Sequence, residues 1–265
     1  MAQNEVEVDP LKKAEEEKEE EKILKELKFY HGYLPREDLL FVLKNEGDYL
    51  LRVSEVGSGD KTVEPDMMNK RAIILSVLVE VPPAEVASPL ASPTQPGKAK
   101  FTLKNPIAQQ RWEFHHSDVQ LGKLIGEGAY GEVREGTIKK REQTLEVAVK
   151  LAKGTGELSK AKIKEMMREA RLIRNFKHRN IVRLYGVAVD EQPLYILLEL
   201  VKGGALNVYL RGNGDKVSVL EKITMCKGAA QGVEYLHKQS CENQRLWTVK
   251  IRRELHDPWP TKIAN

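Results

Sequence analysis

"LIGEGAYGEVREGTI", residues 124–138, decides how the rest of the chain is read. Glycines at 126, 128 and 131 give a G-x-G-x-x-G spacing. Such a spacing suits a dinucleotide-binding turn, a loop that covers phosphates, or a plain hairpin in which glycine supplies positive φ. The flanks separate these. After Gly131 the run Glu-Val-Arg-Glu-Gly-Thr-Ile alternates as a strand, whereas a dinucleotide-binding turn has to open a helix. A strand–loop–strand arrangement lets backbone N–H groups cover phosphates from above, with Val133 packed on a ring beneath.

Outward from the loop, "LEVAVK" at 145–150 alternates as a buried strand and ends in Lys150. A lysine closing an apolar strand ordinarily sits at an edge in water. Close to a glycine loop it becomes a cation aimed at phosphates. In "KIKEMMREARLIRNF", residues 162–176, Ile163, Met166, Met167, Ala170 and Ile173 recur at helical spacing. The pattern predicts an amphipathic helix around 159–176, with Glu169 beside its apolar face and within reach of Lys150.

Glycine loop, strand lysine and helix glutamate are followed by "HRNIVRLYGV" (178–187) and "PLYILLELVKGGAL" (193–206). In that order these segments resemble the N-lobe of protein kinases. "RWEFHHSDVQLGKLIGEGAYGEV", "QPLYILLELVKGG" and "GAAQGVEYL" are most similar to the cytoplasmic Fps/Fes/Fer tyrosine kinases, over about residues 106–241. The resemblance implies an α+β fold. Residues 119–200 would form a twisted, mainly antiparallel five-stranded sheet carrying one helix, followed by the first helices of a C-lobe. It also implies an ATP site built from Ile125, Gly126, Glu127, Gly128, Gly131, Val133, Ala148, Lys150, Glu169, Leu198, Glu199 and Val201. Val133 and Ala148 would sandwich the adenine, Leu198 would stand at the back of its pocket, and the backbone of Glu199 and Val201 would hydrogen-bond it. Mg²⁺ accompanies ATP in the family.

Upstream, "FYHGYLPREDLLFVLKNEGDYLLRVSEV", residues 29–56, resembles the start of a Src-homology-2 (SH2) domain, the phosphotyrosine-binding module that precedes the kinase in that family. "PREDLLFVL" would be its first helix, with Arg36 near the phosphate. "GDYLLRVSE" would be its central strand, where Arg52 grips phosphate bidentately and Ser54 adds a hydroxyl donor. "AIILSVLVE" fits the next strand. The Pro-, Ala- and Ser-rich stretch at 82–100 then stands where more of the module belongs, so the resemblance is to a partial SH2 domain with weak binding of tyrosine-phosphorylated proteins.

After "GVEYLHKQSC", ending at Cys241, the resembled kinases continue into H-R-D-x-A-A-x-N, whose Asp orients the substrate hydroxyl, and later into D-F-G, whose Asp holds Mg²⁺. Here "ENQRLWTVKIRRELHDPWPTKIAN" follows, and neither motif occurs in residues 1–265. His256-Asp257 lies beside Pro258 and reads as a turn. No catalytic residue is assigned. The expectation is a kinase domain truncated before its catalytic loop and inactive as given, acting as an enzyme only if a complete isoform exists. The alternatives are a non-catalytic phosphotyrosine- or ATP-binding module and a splice fragment.

The organisation expected from these readings is a charged leader helix at 1–28 and a partial SH2 domain at 29–81. A linker at 82–110, an incomplete kinase domain at 111–241 and a divergent tail at 242–265 follow. A length of 265 residues accommodates two domains. Net charge is +4 with signs mixed along the chain, which argues against a nucleic-acid stripe. No signal peptide is expected, and the longest apolar run, 72–79, is too short to cross a bilayer. Cys226 and Cys241 fall on one expected helix, ~22 Å apart, so both are expected as free thiols in a reducing cytoplasm.

Overall fold

In the computed structural model, residues 10–55, 71–79, 102–128, 131–140, 143–152 and 160–239 are described, and the chain divides into two units, Met1–Arg111 and Trp112–Asn265. The 82–100 stretch and the tail from 240 lie outside the described residues.

In the first unit, α1 spans Pro10–Glu26. Proline at its first position is compatible with a helix start, where the missing N–H has no intrahelical partner anyway. Lys25 pairs with Glu21 at 3.0 Å. A short 3-10 turn at Arg36–Asp38 and the one-turn α2, Leu39–Val42, replace the single helix expected from "PREDLLFVL". Strand β1, Asp48–Glu55, pairs antiparallel with β2, Arg71–Val77, placing Arg52 opposite Ile74 and Ser54 opposite Ala72. Leu50 and Arg52 are buried on one face of β1, as the two-residue period of a strand requires.

The other side of β1 is paired too, by part of the segment expected as a linker. Residues 102–110 return to this sheet, and β3, Asn105–Pro106, pairs parallel with Asp48 and Tyr49. Lys104 N–H donates to Gly47 O at 2.9 Å, Ile107 N–H to Tyr49 O at 2.8 Å and Gln109 N–H to Lys28 O at 2.9 Å. The physical reason is that a strand edge leaves main-chain donors and acceptors that must find partners. Asp48 fastens the junction, accepting from the N–H groups of Asn45 and Lys44 and from Asn105 Nδ2 at 2.8, 2.9 and 3.1 Å. Those main-chain donors hold its carboxyl below the ordinary carboxylate value.

The second unit begins with β4, Glu113–Phe114, and a 3-10 turn at His116–Asp118. It continues through β5 (Val119–Gly128), β6 (Gly131–Lys140), β7 (Gln143–Ala152), α3 (Lys160–Arg174), β8 (Leu184–Ala188) and β9 (Tyr195–Glu199). Helices α4 (Leu206–Asn213) and α5 (Val219–Lys238) follow. The sheet has six strands in the order β4-β8-β9-β7-β6-β5. Five are antiparallel as expected. The sixth, β4, was not anticipated and pairs parallel with β8. Gly186 permits this, because a Cβ there would lie 2.6 Å from Cε2 of Phe114 and collide with the Trp112 carbonyl.

One face of the sheet closes over Phe114, Ile138, Val147, Val149, Leu151, Ala188 and Leu197, a continuous apolar cluster. Helix α3 buries Ile163, Met166, Met167, Ala170 and Ile173, the five residues its periodicity selects. Helix α5 starts with a reciprocal cap in which Ser218 Oγ accepts from Glu221 N–H while Glu221 accepts from Ser218 N–H at 2.9 Å. Its last turn brings Tyr235 and Leu236 against Phe176 and Ile181. Cys226 is exposed on α5 as a free thiol, and Cys241 lies outside the described residues.

Candidate functional site

The glycine segment forms a hairpin between β5 and β6, with Gly126 opposite Val133, Glu127 opposite Glu132 and Gly128 opposite Gly131. Gly131 has φ +142°, a backbone conformation that favours glycine and lets the chain reverse. The two tip residues, 129 and 130, are outside the described residues.

Strand register then sets the contents of one sheet face. Lys150 stands opposite Val133 on one side and Ile196 on the other, while Ala148 stands opposite Glu135 and Leu198. Directly opposed residues project to the same face of a sheet. Val133, Ala148, Lys150 and Leu198 therefore share the face opposite the Phe114–Leu197 cluster. Ala148 is buried, Val133 and Leu198 are half-buried, and Ile125 at the hairpin's approach is exposed.

Helix α3 supplies the counter-charge. Lys150 Nζ donates to Glu169 Oε1 at 2.8 Å and Oε2 at 2.6 Å. The two side chains are only 15% and 26% exposed, so the pair is shielded from bulk water and fixes the direction of the ammonium. A cation held at an apolar sheet face beneath a glycine hairpin is poised to meet phosphate oxygens. At the far end of β9, Glu199 N–H is already committed to Arg183 O at 2.8 Å, and Glu199 Oε2 accepts from Arg183 N–H at 3.3 Å. Val201 begins the turn in which its carbonyl accepts from Gly204 N–H at 3.0 Å.

Among the described residues no group of three or more His, Cys, Asp or Glu could hold a metal ion, and the Glu169 carboxylate is taken by Lys150.

In the first unit Arg52 is 8% exposed. Its Nε donates to Ser76 Oγ at 3.0 Å and one terminal nitrogen to Leu34 O at 3.4 Å. Burial, and after it the charge of Arg36, lowers the guanidinium's pKa, with Glu37 acting in the opposite sense. Arg36 is exposed and Ser54 half-buried two residues along the same face as Arg52. Sequence reasoning missed two neighbours. Ser76 is the one hydroxyl within the apolar run 72–79, a signal that was visible. Arg71 donates to the Tyr33 hydroxyl at 3.3 Å and lies 5.0 Å from its ring centroid, a contact that no sequence pattern announces.

Comparison with known proteins bears on both units. Residues 119–248 match the family "Protein tyrosine and serine/threonine kinase". Over 242 residues the chain is 32% identical to the tyrosine-protein kinase transforming protein Fps of Avian sarcoma virus (strain PRCII), covering 82% of this chain and 42% of that protein. It is 32% identical over 239 residues to the human tyrosine-protein kinase Fer, covering 85% of this chain and 28% of that protein. Fer-related kinase 1 of Caenorhabditis elegans is 28% identical over 236 residues, covering 82% of this chain and 59% of that protein. The chain therefore spans less than two thirds of each relative.

Proposed function

From the premise that the chain carries a protein-kinase domain at residues 119–248 and has Fps and Fer tyrosine kinases among its relatives, we propose that it is the nucleotide-binding part of a cytoplasmic, non-receptor tyrosine kinase. The observation that carries this reading is the Lys150–Glu169 contact, made on the sheet face beneath the glycine hairpin. Gly126, Glu127, Gly128 and Gly131 cover the triphosphate with main-chain N–H groups. Lys150 meets its oxygens, Val133 and Ala148 hold the adenine between them, Leu198 closes the back of the pocket, and Glu199 with Val201 meets the ring edge. Bound Mg²⁺ would neutralise phosphate charge, and the described residues include no cluster of three or more donors for it.

Residues 1–265 hold neither H-R-D nor D-F-G, so nothing in them orients or deprotonates a tyrosine hydroxyl. ATP binding without transfer is the activity of this polypeptide. Positioning and electrostatic stabilisation together account for most of the rate such enzymes supply. The test is calorimetric titration of the full chain with ATP, with and without Mg²⁺, alongside transfer to a tyrosine polymer. Binding that is lost in Lys150→Met, with no phosphotyrosine formed, supports the reading. Phosphotyrosine that appears with the native chain and vanishes in Lys150→Met refutes the inactivity, and absence of ATP binding refutes the site.

The first unit adds a phosphotyrosine site, and the buried Arg52 bonded to Ser76 supports it. A guanidinium on an otherwise apolar strand suits a fixed dianion, with Arg36 and Ser54 as accessory donors. Tyrosine-phosphorylated proteins are its partners, bound weakly because Arg52 and its accessory donors form only one wall of a phosphate pocket. No helix among the described residues is long and apolar enough to cross a membrane.

A further inference from the structure

A histidine pair lies outside both sites, in the segment leading into β5. His116 uses three groups at once. Its main-chain N–H donates to Asp190 Oδ1 at 3.1 Å, its ring Nδ1 meets the same oxygen, and its ring Nε2 lies 2.9 Å from Pro193 O. His115 adds its Nδ1 to Asp190 Oδ2 at 3.2 Å. Asp190 and Pro193 belong to the turn between β8 and β9, so about 75 residues of chain separate the partners.

Both groups that face the His116 ring nitrogens are acceptors, one a carboxylate oxygen and the other a carbonyl oxygen. A neutral imidazole has one N–H and one lone pair and satisfies only one of them. In the other position its lone pair would face an acceptor's lone pair, with the side chain only 9% exposed and Asp190 only 5%. The doubly protonated ring satisfies both. The Tyr195 ring, 4.3 Å away, offers a π face to that cation.

The charged surroundings agree in sign. From the leading segment come His115, whose N–H donates to Asp118 Oδ2 at 3.1 Å, and Asp118 itself. From the turn come Asp190 and Glu191, and from β9 comes Tyr195. Arg134 on β6 acts on Tyr195 in the opposite sense to Asp190 and Glu191. Asp190 is the carboxylate that meets both imidazoles, while Asp118 lies in the same leading segment and Glu191 in the same turn.

We propose that His116 and Asp190 form a proton-dependent clasp, which fastens the segment leading into β5 to the β8–β9 turn while the imidazole carries two protons and slackens as one leaves. The sign follows from which form the fold accommodates. The clasp is closed with two protons on the ring and slackened with one, because only the former satisfies both acceptors. β4, next to the clasp in the chain and held to β8 by the Val187 N–H to Trp112 O bond of 2.8 Å, is what the clasp secures.

The experiment uses the full chain. Ring ¹⁵N shifts report the protonation of His116 between about pH 5.5 and about pH 8.5, and amide exchange of Val187, corrected for intrinsic rates, reports attachment of β4. The expected result is a doubly protonated His116 ring at the acid end. Deprotonation should then bring a ~tenfold loss of Val187 protection, the size of one charge-assisted hydrogen bond. In Asp190→Asn that pH dependence should vanish. A singly protonated His116 at the acid end overturns the proposal, as does Val187 protection that ignores pH. If Asp190→Asn does not fold, the ring shifts and exchange of the native chain decide alone.

Discussion

Replacing Gly186 by alanine tests whether the sixth strand is an integral part of the sheet. The added methyl would sit 2.6 Å and 2.8 Å from Cε2 and Cδ2 of Phe114 and inside contact distance of the Trp112 carbonyl oxygen. Backbone cannot yield as a flexible side chain does, so β4 must move off β8. Overpacking of this kind costs about 1–3 kcal/mol. The displaced Val187 N–H to Trp112 O bond adds about 1 kcal/mol. The expected loss is therefore roughly 2–4 kcal/mol, or a fall of roughly 4–16 °C in melting temperature for a chain of this size. Gly212→Ala in α4 is the matched control, because its Cβ meets nothing within 4 Å. That change should stabilise by up to ~1 kcal/mol through helix propensity. Urea titrations followed by circular dichroism give both numbers, and exchange at Val187 shows whether the loss is local to β4. If Gly186→Ala stays within ~0.5 kcal/mol of the native chain, the pairing of β4 with β8 is not a structural requirement.

Glu169→Gln should leave the fold intact while weakening ATP binding ~tenfold, because Lys150 loses the carboxylate that aims it; unchanged affinity by calorimetry would show that the contact has no part in binding. Arg52→Lys should abolish phosphotyrosine-peptide binding measured by fluorescence anisotropy, since a lysine cannot fork, whereas nanomolar binding by the native chain would contradict the weak site proposed. Asp190 gives a pH prediction. Burial alone would raise its carboxyl, but hydrogen bonds from His115 and His116 prevail and hold it below 3.8. Its contribution is thus present above the unfolded value and lost as pH falls through the folded one. Between about pH 5 and about pH 2 the native chain should lose more stability than Asp190→Asn, and parallel denaturation curves would count against this.

Legibility in the sequence tracked periodicity. The five buried positions of α3 recur at helical spacing, and the alternation in 145–150 announces β7 with its lysine. β3 and β4 are two residues long, too short for any period, and exist because neighbouring strand edges need main-chain partners. Composition alone put 102–110 with the proline-rich stretch before it, although Ile107 and Gln109 are tied into the first sheet. "PREDLLFVL" has the apolar content of a helix, yet Leu40 is 75% and Phe41 50% exposed, so the segment has too little buried surface to hold more than a turn. At the sites, Lys150 was legible because it closes an apolar strand, and Glu169 because it lies beside the apolar face of α3 within reach of that lysine. Ser76 stood out as the one hydroxyl in its apolar run, but its pairing with Arg52, 24 residues away, and that of Asp190 with His116, about 74 residues away, were not legible.

The register of β7 has a consequence for any comprehensive mutational scan of this chain. Val147, Val149 and Leu151 serve the apolar cluster, whereas Ala148 and Lys150 look to the opposite face. Five adjacent codons thus answer to two selections in strict alternation. Odd positions should deplete in a screen for cellular abundance, and even ones, Lys150 above all, in a screen for ligand capture. Within this one strand the parity of the residue number sorts loss of fold from loss of recognition, which makes β7 an internal calibration for assigning defects elsewhere in the molecule.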